Sequence, residues 1–370
     1  MKVSGYTSKT KSFAPFRVDI GNTVADSVGP ADSSIQIDVS VLPSSARRFI
    51  GGISMPDGSV ILLPGHSDVA QFYRFNPLSN TITVASSLGA WNGSGSFRGG
   101  ALLQDRKRIV LAPYSHAEVK VFNVELGTMA GLATGSVVAN KFSGAVSLLD
   151  GRVLLVPYGE TAICFVSADG SAFSRGPAHG EGATAFSGGV LLPDGRVLLV
   201  PASSEYFGIF DPVTNLYSRL ASVGKVATLT DQWSGGIYAA NGKIVMIPGA
   251  DSRVLVFDPA SMAFDDDPYK LATHTGLWYS GGALSPDGRI VFVQNTQTVP
   301  TRIYDPSNKT VVDGPLFALG GVFQGGVPTS DGRVLMVPIT ATSAVVYRAA
   351  ASTKGFGVTS RTSPWMNKAV

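Results

Sequence analysis

Residues 143–157 read SGAVSLLDGRVLLVP, and residues 187–201 read SGGVLLPDGRVLLVP. The two stretches begin at positions 143 and 187, so the chain repeats almost the same fifteen letters after 44 residues. Each stretch holds a small-residue pair, an apolar run, a turn, and a second apolar run that ends in proline. A repeat of this length is one supersecondary unit, so the fold follows from the structure that one copy forms.

Seven copies of the pattern follow one another from about residue 47 onward. Their first glycines, separated by 44 to 48 residues, are Gly51, Gly99, Gly144, Gly188, Gly235, Gly281 and Gly325. In six copies the turn between the two apolar runs is Asp-Gly or Asn-Gly. This dipeptide predicts a tight β-hairpin, because both of its residues tolerate a positive φ. Only the second copy departs, with residues 105–108 reading DRKR.

The second half of each copy predicts two further strands. In six copies the second apolar run ends in proline. Proline is tolerated at a strand end, because its missing N–H costs no important hydrogen bond between strands there. In four copies a third run ends in an aromatic residue and an Asp-Pro or Asn-Pro turn, and a weaker run such as 216–222 follows. Four strands in about 45 residues predict an all-β fold, a seven-bladed β-propeller with four-stranded antiparallel blades.

The seventh copy indicates how the ring closes. Its third run, 344–348, leads into three alanines, so its fourth strand is missing. Residues 35–42, IQIDVSVL, alternate apolar and polar, and they stand where a fourth strand precedes every other glycine pair. We predict that this N-terminal strand completes the seventh blade and leaves no exposed sheet edge. The predicted boundaries are an N-terminal arm at 1–33, the propeller at 34–351 and a C-terminal tail at 352–370.

The paired glycines, the hairpin and the stretch IFDPVTNLYSRL (209–220) resemble the kelch repeat over about residues 35–349. The chain departs from that repeat because its glycines start the innermost strand, while proline follows the second strand. The resemblance implies a propeller architecture, and kelch propellers have many unrelated functions. The ring with a polar arm at each end also resembles propeller proteins in the virions of tailed bacteriophages.

Composition narrows the function classes. The chain has 370 residues, 15% of them charged, and a formal net charge of +3, so it does not indicate a nucleic-acid partner. We interpret the basic string 106–108 as a solvated turn. The single cysteine, Cys164, lies in an apolar run, so we expect a buried small hydrophobe rather than a disulfide. We find no signal peptide and no apolar run of about 18 residues, so we predict no membrane insertion.

Function is expected where the copies differ. If strands a to d run from the axis outward, the tight a–b and c–d turns share one face, called the lower face here. The longer and more variable b–c and d–a connections share the other, upper face, and variable loops on a rigid scaffold concentrate binding residues. The predicted ligand-binding side chains of the upper face are His66, Asp68, Trp91, His116, Glu118, Glu160, His179, Glu205, Asp251, Arg253, Trp278 and Gln294.

Two residue sets have a structural interpretation beside a functional one. An aromatic residue stands two positions before the first glycine of every copy, and we interpret these seven as packing between blades rather than as a ligand platform. His66 and His116, each near a carboxylate, could supply half of a metal site. We expect them instead to be exposed loop histidines, and we predict neither a metal nor a cofactor.

The ends of the chain suggest assembly. The aromatic residues Tyr6, Phe13, Phe16, Phe356 and Trp365 are predicted to anchor the arms on other virion proteins or on copies of the same chain. We therefore favour a non-enzymatic structural protein of a virion tail or fibre, whose upper face recognises a host-surface glycan or protein. The alternatives are a carbohydrate-active or copper-oxidase-type enzyme, and a cytoplasmic kelch-like interaction module. Because Cys164 lies within a strand, it is poorly placed as the reactive cysteine of such an oxidase.

Overall fold

The computed structural model describes residues 33–37, 42, 48–66, 69, 71–87, 96–222, 231–265, 269–271 and 277–349. These residues form thirty β-strands and no helix, and accordingly none of them contributes to a helix that could cross a membrane. Seven of the sheets contain four antiparallel strands each. The prediction of an all-β, seven-bladed propeller is therefore confirmed.

The strands have the following bounds. Strand β1 spans Ser33–Ile37. Blade 1 consists of β2 (Phe49–Ser54), β3 (Val60–Pro64), β4 (Gln71–Asn76) and β5 (Thr81–Ser87). Blade 2 consists of β6 (Phe97–Leu102), β7 (Arg108–Pro113), β8 (Glu118–Asn123) and β9 (Thr128–Ala133). Blade 3 consists of β10 (Phe142–Ser147), β11 (Val153–Pro157), β12 (Ala162–Val166) and β13 (Phe173–Ala178). Blade 4 consists of β14 (Phe186–Leu191), β15 (Val197–Pro201), β16 (Tyr206–Asp211) and β17 (Leu216–Ser222).

The remaining blades follow the same order. The region of blade 5 contains β18 (Trp233–Tyr238), β19 (Ile244–Pro248), β20 (Arg253–Val254), β21 (Val256–Asp258), β22 (Ala263–Phe264) and β23 (Tyr269–Lys270). Of these, β20 pairs with β23 as a separate two-stranded sheet. Blade 6 consists of β24 (Tyr279–Leu284), β25 (Ile290–Gln294), β26 (Arg302–Asp305) and β27 (Thr310–Asp313). Blade 7 contains β28 (Phe323–Pro328), β29 (Val334–Pro338) and β30 (Ala344–Arg348).

The N-terminal strand closes the ring. Strand β1 pairs antiparallel with β30, in a register that places Ser33 opposite Arg348 and Ile37 opposite Ala344. The innermost strands of blades 7 and 1 also contact each other, as those of all other neighbouring blades do. The closure is as predicted; the described strand covers 33–37, and the predicted one was 35–42. Of residues 38–42 the structure describes only Leu42, which packs against the apolar cluster shared by blades 7 and 1.

The glycine pair of each copy lets the innermost strands bend at the axis. Every innermost strand has a register shift between its first aromatic residue and its glycines, and such a bulge bends the strand. Gly235 and Gly281 each have a φ of +80° at this point. A Cβ atom on Gly282 would lie 2.4 Å from the carbonyl oxygen of Val291. A side chain is thus excluded at the first glycine of the pair by backbone strain, and at the second by a steric clash with the neighbouring strand.

The a–b hairpins form by a different turn than the sequence suggested. In blade 3 the N–H of Gly151 donates to the carbonyl of Leu148 at 3.1 Å, and Gly151 has a φ of +89°. Asp150 keeps a negative φ, and its carboxylate accepts the N–H of Arg152 at 3.0 Å. The predicted tight hairpin is therefore present, although only the second of its two turn residues takes a positive φ. The longer hairpin loop needs only its glycine in the left-handed region.

Arginines of these hairpins join neighbouring blades on the lower face. Arg152 pairs with Asp150 at 2.6 Å and donates to the carbonyl of Pro212 in blade 4 at 3.2 Å. Arg333 likewise donates to the carbonyl of Pro77 in blade 1 at 2.6 Å. The recurring Asp-Gly-Arg sequence thus connects each of these hairpins to the c–d turn of the next blade.

The core lies between the blades. Among the described residues, seven apolar clusters fill the interfaces, and the one between blades 7 and 1 contains Phe49, Leu62, Leu335 and Val346. The recurring aromatic residues are at most 1% exposed, which confirms that they pack between blades. Cys164 is also fully buried, which confirms the prediction of a buried small hydrophobe. Burial raises the pKa of its thiol to about 12.

Ring closure can be tested with two isoleucines of one strand. We expect Ile37→Ala to lower the free energy of unfolding by about 2–4 kcal/mol, because Ile37 is 3% exposed and packs in the cluster between blades 7 and 1. Ile35→Ala is the matched control, since Ile35 is 43% exposed, and it should cost less than about 1 kcal/mol. Chemical denaturation of both variants measures the difference. Equal losses in the two variants would show that the burial of Ile37 between blades 7 and 1 does not stabilise ring closure.

Candidate functional site

The described upper-face residues are more deeply buried than the sequence suggested. Asp68 and Trp91 lie outside the described residues, as do the predicted anchors Tyr6, Phe13, Phe16, Phe356 and Trp365. Ligand binding by the other predicted residues stays a prediction. The structure shows instead which bonds they form within the chain.

In blade 2, His116 is not an exposed loop histidine. It is 1% exposed, and its ring stacks on Phe97 with the ring centroids 4.9 Å apart. Its Nδ1 accepts the N–H of Glu118 at 3.1 Å, and the Glu118 carboxylate accepts the ammonium group of Lys120 at 2.5 Å. His66 lies beside blade 2, in a β-bridge with Ser96. The described residues contain no group of three or more His, Cys, Asp or Glu that could hold a metal ion.

In blade 3, Glu160 is the centre of a buried charge network. Its carboxylate accepts two hydrogen bonds from the guanidinium of Arg175, at 2.8 and 2.9 Å. Burial raises the pKa of Glu160, but hydrogen bonds from Arg175, Ser136 and Thr161 outweigh burial, so that the pKa is lowered. The Nε2 of His179 donates to the carbonyl of Glu160 at 2.8 Å. These bonds tie the b–c loop to the outer strand.

Blade 4 contains a similar network that the sequence analysis missed. Glu181 accepts hydrogen bonds from Arg219 at 2.6 Å, from Tyr217 at 2.7 Å and from Ser204 at 3.0 Å. Its side chain is 3% exposed. The predicted residue of this blade, Glu205, is exposed instead. No sequence signal could have separated the two glutamates, because Glu181 meets Arg219 across 38 residues of chain.

In blades 5 and 6 the predicted residues also form contacts within the chain. Asp251 accepts two hydrogen bonds from Arg253, whose guanidinium lies over the ring of Trp233 at 5.5 Å. Gln294 is fully buried, and its amide donates to the carbonyl of Phe317 at 2.8 Å. The ring of Trp278 is partly buried and contacts Tyr279 edge to face. Ion pairs and hydrogen bonds within the chain therefore hold the described upper loops in place, and these loops are called the rim here.

A cavity of about 230 Å³ lies at the upper end of the axis. In every blade, the residue between the first aromatic residue and the first glycine lines it. This set consists of Ile50, Arg98, Ser143, Ser187, Ser234, Ser280 and Gln324. The sequence carries a signal for this set, because the position varies between two recurring neighbours, whereas the predicted site lay in the loops.

Three of the serines bridge adjacent blades. Ser143 donates to the carbonyl of Phe186 at 2.7 Å, and Ser234 donates to the carbonyl of Tyr279 at 3.0 Å. Ser187 makes the equivalent bond to Trp233 at 2.5 Å. Each hydroxyl proton is used in this way, while the oxygen can still accept a hydrogen bond from the cavity side.

Arg98 supplies a cation to this cavity. Its guanidinium lies over the ring of Tyr114 at 4.0 Å and is 5.2 Å from the ring centroid of Tyr158. The group is thus held by cation–π contacts, and it forms no salt bridge with a described residue. A guanidinium that stacks on an aromatic ring still has N–H groups at its edge, and these can donate hydrogen bonds to an anion.

Asp231 supplies a carboxyl group to the same cavity. It lies in the connection that enters blade 5, with a φ of +55°, and its carbonyl accepts the N–H of Ala250 at 3.0 Å. Burial raises the pKa of Asp231, and the charge of Arg98 only partly opposes this effect. The carboxyl group makes no hydrogen bond with any residue that the structure describes.

Four apolar side chains, called the apolar arc here, also line the cavity. The arc is formed by Leu277, Val322, Ile339 and Ile50, from blades 6, 7 and 1 and their connections. Because Ser280, Asn295 and Gln324 come from the same blades, the cavity combines two opposite charges, neutral polar groups and an apolar arc. This combination is typical of small-molecule sites, in which a few polar groups orient a ligand against apolar walls.

No family model and no curated protein matches this sequence. Among solved structures, the chain is similar to a streptogramin B lyase, with 11% identity, a TM-score of 0.70, and coverage of 86% of this chain and 97% of that chain. It is also similar to a catalytically inactive histidine-to-alanine variant of virginiamycin B lyase from Staphylococcus aureus, solved with quinupristin, with 11% identity, a TM-score of 0.69, and coverage of 86% and 99%.

A third similar structure is hydrazine synthase from Kuenenia stuttgartiensis, with 12% identity, a TM-score of 0.58, and coverage of 85% of this chain and 98% of that chain. Extracellular domains from B. thetaiotaomicron are also similar in fold. None of these proteins is a kelch or bacteriophage protein, so the sequence resemblances hold for the propeller arrangement only. At such low identity the likenesses show the fold alone.

The network around Glu160 predicts a pH-dependent stability. The folded pKa lies below the ordinary value of 4.5, so the stabilisation is complete above about pH 4.5 and is lost as pH falls through the folded pKa. Glu160→Gln should therefore lower the free energy of unfolding by about 1.5–3 kcal/mol at pH 7, and by less near pH 3. Denaturation at both pH values measures this, with the exposed Glu205→Gln as control. A loss that does not change with pH would contradict the assignment.

Proposed function

We propose that this chain is a non-enzymatic recognition protein that binds a small ligand in the cavity at the upper end of its axis. The observation that carries the proposal is the pair of Arg98 and Asp231, which face one cavity without forming a salt bridge with any described residue. Buried or half-buried charges are normally paired, because leaving them unpaired costs free energy. A ligand that pairs them would recover that cost.

The described loop residues give weaker support for a ligand site. Glu118, Glu160, Asp251 and Arg253 already pair within the chain, and a ligand would have to break those bonds. The side chains of the cavity require no such exchange. We therefore place the ligand at the axis and give the upper loops the role of a rim.

An enzyme that uses the same cavity is the second candidate. One observation favours it, since a carboxyl group with a raised pKa that faces a cavity has the character of a general base. Among the described lining residues, neither histidine nor cysteine stands beside Asp231. The similar virginiamycin B lyase variant, by contrast, is inactive after one histidine is replaced. We therefore rank binding before catalysis.

The finer parts of the functional hypothesis rest on the sequence. A place in a phage virion, recognition of a host-surface glycan or protein, and assembly through the terminal arms are proposals that no described residue supports or opposes. A cytoplasmic location remains the alternative. The binding proposal for the cavity does not depend on any of them.

A ligand panel tests the binding proposal. The full chain is screened by thermal shift and calorimetry against monosaccharides, uronic acids, amino acids and nucleosides. We expect at least one class to bind, and a ligand at a hundred times its Kd should raise the free energy of unfolding by about 2.7 kcal/mol. Binding should be lost in Arg98→Met, because the cavity then lacks its cation.

Lys107→Met is the matched control. Lys107 lies in the lower-face hairpin of the same blade and pairs with Glu125 at 3.0 Å, so this variant should bind normally. A panel in which no compound binds, or in which binding is indifferent to Arg98→Met, would refute an axial ligand site.

A further inference from the structure

The charges of the cavity come from different blades. Arg98 extends from blade 2, and Asp231 lies three blades further round the ring, at the entry to blade 5. They are close enough for the charge of Arg98 to act on Asp231, yet no ion pair joins them. Two opposite charges held apart in one cavity are complementary to a ligand that carries both signs, with its anion towards Arg98 and its cation towards Asp231.

Neutral groups of the cavity also have unused hydrogen-bonding capacity. In blades 3 to 5 the serine donates to the next blade's aromatic carbonyl, but in blade 6 the equivalent carbonyl, of Phe323, accepts the amide of Asn295 at 2.9 Å. The hydroxyl of Ser280 consequently has no acceptor among the described residues, although Ser280 is only 2% exposed. Gln324 lines the cavity beside it and makes no hydrogen bond with a described residue. Both groups are therefore available for hydrogen bonds to a ligand in the cavity.

The size and the apolar arc limit what fits. A cavity of about 230 Å³ holds about eight water molecules at roughly 30 Å³ each, and it lies below the roughly 300–1,000 Å³ typical of drug-sized ligands. The arc of Leu277, Val322, Ile339 and Ile50 offers no hydrogen-bonding side chain. It would therefore contact a ligand's hydrocarbon part and gain free energy from the apolar area buried.

We propose that the ligand is a small zwitterion with an apolar side chain, and that an apolar α-amino acid is its simplest form. The carboxylate binds Arg98, the ammonium group binds Asp231 and the oxygens of the neighbouring serines, and the side chain lies against the apolar arc. A dianionic phosphate would meet the carboxylate of Asp231, and a neutral sugar would leave both charges unpaired. This inference rests on the proposed axial binding site and specifies its ligand class.

Three matched probes test the proposal by calorimetry on the full chain. L-Leucine carries both charges, L-leucinamide lacks the carboxylate, and 4-methylpentanoate lacks the ammonium group. We expect L-leucine to bind about ten- to a hundredfold more tightly than either of the others, because each lost charge removes one charge-assisted hydrogen bond.

Two variants assign the charges to their partners. Arg98→Met should lower the affinity for L-leucine by about ten- to a hundredfold. It should hardly change the affinity for L-leucinamide, which has no carboxylate to bind Arg98. Asp231→Asn should weaken L-leucine similarly and hardly affect 4-methylpentanoate. Lys107→Met and Glu125→Gln, which alter a charge pair on the lower face, are the controls. Thermal unfolding confirms that each variant is folded.

The outcomes separate this inference from the binding proposal. Equal affinity for the three probes, or a variant that weakens all of them equally, would overturn the zwitterion assignment. If L-leucine does not bind while another compound of the panel binds in an Arg98-dependent way, the zwitterion assignment fails and the axial site stands. If nothing in the panel binds, both proposals fail.

Discussion

The whole structure depends on how closely the innermost strands approach one another at the axis. A Cβ atom on Gly326 would lie 3.1 Å from the carbonyl carbon of Gly282 in the neighbouring blade, closer than ordinary carbon contacts. The glycines therefore allow seven blades to converge, and the bulges beside them bend each strand at its upper end. The residue before each glycine pair then lines the axis. The same constraint that closes the ring thus creates the cavity.

Burial explains why the rim and the cavity differ. The carboxylates of Glu160, Glu181 and Asp251 are almost fully buried, and a buried charge requires a partner, so each has an arginine. These pairs brace the loops. Arg98 and Asp231 form no ion pair with a described residue, because contacts with tyrosine rings hold the first and backbone bonds position the second. Charged groups that are held in place without a salt bridge are a preorganised arrangement for a ligand.

The similar structures do not decide the function. A streptogramin B lyase, a hydrazine synthase and bacterial extracellular domains share this arrangement of strands at 12% identity or less. One scaffold therefore supports catalysis in some proteins and forms extracellular domains in others. The feature that distinguishes this chain is the set of side chains that line its axial cavity. Ile50, Arg98 and Gln324 depart from the serine that the other four blades share, whereas the surrounding glycines and aromatic residues recur.

The sequence by itself determined the blade count, the strand order, closure by the N-terminal strand and the packing of the aromatic residues between blades. It could do so because hairpin turns and repeat spacing depend on neighbouring residues, and seven copies average out local exceptions such as residues 105–108. Only the tertiary structure decided that His116 is buried and that Arg98 and Asp231 share a cavity. Such contacts join residues from different blades, and their distances depend on how the blades converge. No local pattern of the chain encodes that geometry.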